Sequence, residues 1–186
     1  MSTIWRFIII FQLVALAGCV ADEQLQVVPY NNVHEYRLGS GDQIRVTVYN
    51  QPTLSANYTV SASGMVSLPL AGTFKASNKT TRQIESAIVS SLKEKGLIDD
   101  PKVSVEVAVY RPFSVLGEVR ASGRFPYSPG MTVEDAIALA GGYTIHADKE
   151  TIRVTSRVGN KQVPQNRPPT ANVSPGDVIF VKERWY

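Results

Sequence analysis

The sequence of 186 residues predicts an α+β chain of two small domains in series, and three observations lead there. Apolar residues alternate with polar ones over several short runs, the period-two signature of half-buried strands. Two segments, near residues 80–95 and 132–140, switch to helical spacing with a capping residue in front and glycine behind. Between them Arg111-Pro112 interrupts the pattern, so each half holds its own strands and one helix.

The first half is expected to begin at Tyr36. Ile44, Val46 and Val48 alternate with Arg45, Thr47 and Tyr49, and Asn50-Gln51-Pro52 closes that strand. Val60 to Met65 and Val66 to Leu70 are expected to form a hairpin around Ser63-Gly64. Thr80 and Gln83 have the spacing of a capping box, in which each side chain satisfies an orphan N–H group of the helix start. That helix runs on an apolar face of Ile84, Ala87, Ile88 and Leu92 and stops at Gly96. After a break at Asp99-Asp100-Pro101, Val103, Val105, Val107 and Val109 alternate with Ser104, Glu106, Ala108 and Tyr110 as a strand with one apolar face.

The second half strings strand, turn, strand, helix and glycine stop together from Phe113 to Tyr143 without a gap. Val115 to Val119 is the first strand, Arg120-Ala121-Ser122-Gly123 turns it, Phe125-Pro126-Tyr127 returns, and Ser128-Pro129-Gly130 turns again. Thr132 caps the helix, Asp135 sits at its positive end, and Val133, Ala136, Ile137 and Ala140 form its apolar face. Gly141-Gly142 ends it, because glycine enters the left-handed region without steric cost. Ile152 to Val158 is a further strand, and Gln165 to Thr170, with Pro168-Pro169, is expected to be a loop.

Leu38-Gly39-Ser40-Gly41-Asp42-Gln43-Ile44-Arg45-Val46 is echoed by Val173-Ser174-Pro175-Gly176-Asp177-Val178-Ile179-Phe180-Val181. Turn chemistry accounts for the echo without a shared binding role, since an aspartate in an exposed turn bonds its own backbone.

At the N-terminus Phe7 to Ala17 is an apolar run of signal-peptide length, short of the roughly 20 residues that span a bilayer. Leu16-Ala17-Gly18-Cys19 has the form of a lipoprotein cleavage site: small residues admit the peptidase, and the thiol carries the lipid. Cys19 is the only cysteine, so it is the lipidation candidate and no internal disulfide can form. Val20 in place of an aspartate after it favours sorting to the outer membrane. Val20 to about Glu35 is polar and irregular, as a tether would be.

The formal net charge is +3, with Lys and Arg scattered along the chain, which gives no basis for nucleic-acid binding. His34 and His146 lack metal-ligand spacing, and no serine sits in a nucleophile elbow. No glycine-rich phosphate loop follows a strand. The residues therefore point to no catalytic site, metal or cofactor. Asn57, Asn78 and Asn172 match the short glycosylation pattern by chance in a chain with a bacterial lipobox. Glu118 and Arg120 are read as a solvated sheet edge.

Val115-Leu116-Gly117-Glu118-Val119, Gly123, Pro129-Gly130, Thr132 and Ala140-Gly141-Gly142 together resemble the soluble-ligand-binding β-grasp (SLBB) module of bacterial outer-membrane polysaccharide export proteins of the Wza type. Upstream, Tyr36 to Asp42, Ile44 to Tyr49, Tyr58-Thr59-Val60, Gly64 and Val66 to Gly72 resemble the polysaccharide-export domain that precedes this module in the family. The resemblance implies a signal peptide over residues 1–18, a lipidated tether over 19–35, a small mixed-sheet polysaccharide-export domain over 36–110 and a β-grasp domain over 111–186. It also implies a non-enzymatic role: a lipoprotein on the periplasmic face of the outer membrane, assembled into a homo-oligomeric ring through which a capsular or exopolysaccharide chain passes. The expected partners are that polysaccharide and an inner-membrane polysaccharide co-polymerase. Larger family members carry a second β-grasp module and a membrane-spanning helix where this sequence reaches Lys182-Glu183-Arg184-Trp185-Tyr186, so the lipid is the expected membrane attachment. The alternative is a non-transporting periplasmic lipoprotein that binds a glycan or an envelope partner.

Overall fold

A computed structural model describes residues 35–158 and 161–185. The expected signal peptide, Cys19, His34 and nearly all of the expected tether lie outside the described residues. The elements of the first half are strands β1 (Gln43–Val48), β2 (Ala56–Thr59), β3 (Met65–Leu68) and β4 (Gly72–Lys75), helix α1 (Thr81–Glu94) and strand β5 (Val103–Val109). Alternation in β1 buries Ile44, Val46 and Val48 and leaves Arg45 and Thr47 outside. This strand is the centre of an antiparallel sheet of order β2-β1-β5. Helix α1 starts at Thr80 with both arms of the capping box in place, Thr80 Oγ1 accepting from Gln83 N–H and Gln83 Oε1 from Thr80 N–H. Ile84, Ile88 and Leu92 are buried against the sheet and the β3-β4 hairpin. Burying each contributes about 1.5–3 kcal/mol.

The second half follows as β6 (Phe113–Gly117), β7 (Gly123–Phe125), α2 (Val133–Leu139), β8 (Ile152–Val158), β9 (Lys161–Arg167) and β10 (Val178–Val181). These strands form one mixed sheet of order β7-β6-β10-β8-β9. Its middle pair, β6 and β10, is parallel, and the other pairs are antiparallel. The capping box of α2 is reciprocal: Asp135 N–H donates to Thr132 Oγ1, and Thr132 N–H donates to Asp135 Oδ2. Val133, Ala136 and Ile137 of α2 share a core with Phe113, Val115, Ile152, Val154, Ile179 and Val181. Few helices on mixed sheets make this an α+β chain. Both cores lie in one body, Glu35–Tyr186.

Four local expectations are corrected. Gly64 does turn the chain, but the segment before it is β2, whose partner is β1; the hairpin is β3 with β4, turned through Leu70 at φ 60°. Satisfying the backbone decides this, because Val60 N–H is already committed to Asp42 O. Val109 is 52 % exposed, unlike Val105, because the β1–β5 register shifts between Gln43 and Ile44. A bulge of one residue sends the following side chains to the opposite face. Gln165, Asn166 and Arg167 belong to β9 rather than a loop. Proline is tolerated within that strand at Pro164 because β9 is the sheet edge. Finally, the aspartates of the two echoed turns, Asp42 and Asp177, are buried at 0 % and 2 % exposure, where exposed turns were expected.

Candidate functional site

Buried aspartates need partners, and those of Asp42 define where the two halves meet. The turn Gly39–Asp42 closes on itself, with Asp42 N–H donating to Gly39 O and Gly39 N–H donating to Asp42 Oδ2 at 2.7 Å. The second turn repeats this, with Asp177 N–H donating to Ser174 O and Ser174 N–H to Asp177 Oδ2 at 2.9 Å. Each aspartate therefore does bond its own turn. Asp42 goes further: its Oδ1 accepts from Arg111 N–H at 2.9 Å, and its Oδ2 accepts from the Tyr36 hydroxyl at 2.6 Å and from Arg111 Nη1 at 3.1 Å.

Arg111 threads between the two turns. Its guanidinium lies 5.9 Å from the Tyr36 ring centroid and donates to the Tyr36 hydroxyl at 3.0 Å. A Cβ on Gly39 would stand 2.1 Å from Arg111 Nη1, and one on Gly176 would stand 2.7 Å from Nε. The glycine of each turn is thus what lets the arginine pass. Beside it, Tyr110 packs edge-on to Tyr36 at 5.0 Å and to Tyr127 at 5.4 Å, joining the first half to the second through aromatic rings. Burial and the bond to Asp42 push the Tyr36 hydroxyl well above its ordinary pKa, so it remains a donor. Burial also pushes the Asp177 carboxyl up, opposed by the Ser174 N–H bond and by Arg167, 3.9 Å away.

Over this junction opens a cleft of about 790 Å³, within the roughly 300–1,000 Å³ of ligand sites. The turn before β1 supplies Arg37 and Ser40, and the segment before α1 supplies Ser77 and Asn78. From the second half come Arg111 and Ser114 at the start of β6, Arg124 of β7, Thr155 and Arg157 of β8 and Gln162 of β9. Among the described residues, four arginines line the cleft, and no aspartate, glutamate, histidine or aromatic side chain does. What this lining offers is hydrogen bonding through a surplus of donors.

Of the residues singled out in the sequence, the two Gly-Asp turns are brought together around Arg111. Glu118 is tied to the Thr144 hydroxyl, and Arg120 is exposed. His146 is exposed in a loop. Among the described residues no group of three or more His, Cys, Asp or Glu could hold a metal, and no helix is long and apolar enough to cross a membrane. Sequence reasoning missed the arginines. They stand far apart in the chain, and the single local signal was Arg111 between a strand and Pro112.

Comparison with known proteins places these two halves. The chain matches the polysaccharide biosynthesis/export protein family over residues 31–108 and the SLBB domain over residues 112–165. It is 44% identical over 119 residues to the exopolysaccharide production protein ExoF of Rhizobium meliloti, covering 58% of this chain and 28% of that protein. It is 28% identical over 185 residues to the EPS I polysaccharide export outer membrane protein EpsA of Ralstonia nicotianae, covering 80% of this chain and 48% of that one. The chain thus spans less than half the length of these curated relatives. With an export domain followed directly by an SLBB domain, joined in the structure through Arg111, the chain belongs to the Wza-like polysaccharide export family.

Proposed function

We propose that this protein is an outer-membrane lipoprotein of an exopolysaccharide or capsule export apparatus, held by lipid on Cys19 and facing the periplasm. Its protomers form a ring whose lumen passes the polymer, working with an inner-membrane polysaccharide co-polymerase. The observation that carries this proposal is the match to an export domain followed along the chain by a match to an SLBB domain. The names of the relatives, an exopolysaccharide production protein and an export outer membrane protein, support the same role. A donor-rich polar cleft suits a hydrated glycan, whose hydroxyls exchange water for protein bonds at little cost. The family is one of export proteins, and the role needs no cofactor.

Lipid attachment at Cys19 contributes about 0.8 kcal/mol per buried methylene, so two or three acyl chains hold the protein at the membrane. The test compares secreted with periplasmic polymer in a strain lacking the protein, then after restoration with the wild type or with Cys19→Ala. Secretion is expected to fall on deletion and to recover only with the lipidatable form. Unchanged secretion, together with a strict monomer by native mass in detergent, would favour a non-transporting glycan-binding lipoprotein instead.

A further inference from the structure

We infer that the cleft above Arg111 is a recognition site for the acidic groups of an anionic glycan, meaning sugars bearing carboxylates such as uronic acids or pyruvate ketals. The inference rests on the export role proposed above and assigns the class of polymer that this chain contacts. Arg111 is neutralised by Asp42 beneath it. Arg37, Arg124 and Arg157 are not: Arg37 Nη1 donates to the Asn78 carbonyl oxygen, and among the described residues no carboxylate pairs with any of the three. Three uncompensated guanidiniums around one concave wall raise the local concentration of anions. The planar donor fork of each matches a carboxylate bidentately.

Two further features narrow the ligand to a sugar acid. Among the described residues no aromatic side chain lines the cleft for a neutral sugar ring to stack on, so charge and hydrogen bonds supply recognition. Between the arginines stand Ser40, Ser77, Ser114, Thr155, Asn78 and Gln162, which pair with hydroxyl groups as a small inorganic anion would not require. Arginine keeps its charge across the working range of pH, and a sugar carboxylate is ionised above about pH 5, so binding there is expected to be independent of pH.

The experiment titrates the full chain, purified in detergent, with a hexamer of galacturonic acid, with a neutral glucose hexamer of equal length, and with inorganic phosphate. The acidic hexamer is expected to bind, to weaken as ionic strength rises, and to lose at least about tenfold in affinity in the Arg124→Gln/Arg157→Gln variant, which removes two charge-assisted donors. Both side chains are exposed and bond no other described side chain in the structure, so this variant is expected to fold with an unchanged circular dichroism spectrum. Equal binding of the neutral hexamer, an unchanged affinity in the variant, or full displacement by an equal concentration of phosphate would each overturn the assignment. The same variant is then returned to the deletion strain. Failed binding of the acidic hexamer alongside protein-dependent secretion overturns the acidic site alone. Secretion that does not depend on the protein overturns the export role instead, whatever the titration gives.

Discussion

Asp42 and Asp177 occupy equivalent places in two turns of the same design, yet their surroundings give them opposite energetic roles. Asp42 collects the Tyr36 hydroxyl, two backbone N–H groups and the Arg111 guanidinium. Removing it leaves those donors and a largely buried cation unpaired. Asp42→Ala is therefore expected to cost about 3 kcal/mol or more in denaturant-induced unfolding; a loss below about 1 kcal/mol would mean that water replaces the carboxylate freely. Asp177 is buried with Arg167 only at the long end of ion-pair distance, 3.9 Å, and burial raises its carboxyl above the ordinary value of 3.8. A carboxyl whose folded pKa is raised contributes stability below its unfolded pKa, and that contribution is lost as pH rises through the folded value. At neutral pH the fold therefore carries a buried anion at a cost. Asp177→Asn keeps an acceptor for the Ser174 N–H. It is expected to be more stable than the wild type at about pH 7 and to lose that advantage below about pH 4. Melting temperatures measured across that range check the sign, and a variant less stable at neutral pH would assign the advantage to the Arg167 pair.

At the scale of elements, β6 and β10 form the parallel pair on which the second sheet is built, and Gly117 sets how closely they approach. Its φ is 87°, and a Cβ there would stand 2.1 Å from the Val181 carbonyl oxygen. That oxygen accepts from Glu118 N–H at 3.0 Å. Gly117→Ala is expected to push the strands apart at this end and to cost on the order of 2 kcal/mol or more. Amide exchange should rise in β10 while β1 keeps its protection; equal loss in both would mean that the two sheets open together. Both helices are legible in the sequence, because a capping box and an apolar row at i, i+4 spacing are local signals. The bulge in β5 is not legible, since its alternating valines read as one face until pairing with β1 shifts the register and exposes Val109.

At the scale of the whole molecule, the two cores are separate sets of buried side chains, residues 38–105 and 113–181. What couples them is a narrow junction of Arg111 with Asp42 and of Tyr110 with Tyr36 and Tyr127. The wild type is expected to unfold in a single calorimetric transition. Arg111→Ala combined with Tyr110→Ala removes the ion pair and both ring contacts while leaving each core intact. This double variant is expected to unfold in two transitions. A single transition persisting in it would place the coupling in the backbone bonds across the junction, such as Arg111 N–H to Asp42.

The sequence by itself determined the fold class, both capped helices, most of the strands and the echo of the two Gly-Asp turns. Each of these rests on interactions within a few residues or on a period that the chain repeats. Tertiary structure alone decided which strands pair, where Val109 points and why the turn aspartates are buried. It also decided the site: Arg37, Arg111, Arg124 and Arg157 lie in four separate segments. They face one cleft because Arg111 passes between Gly39 and Gly176 and brings the two halves together around it. Charges so far apart along the chain leave no local pattern, and their convergence follows from packing.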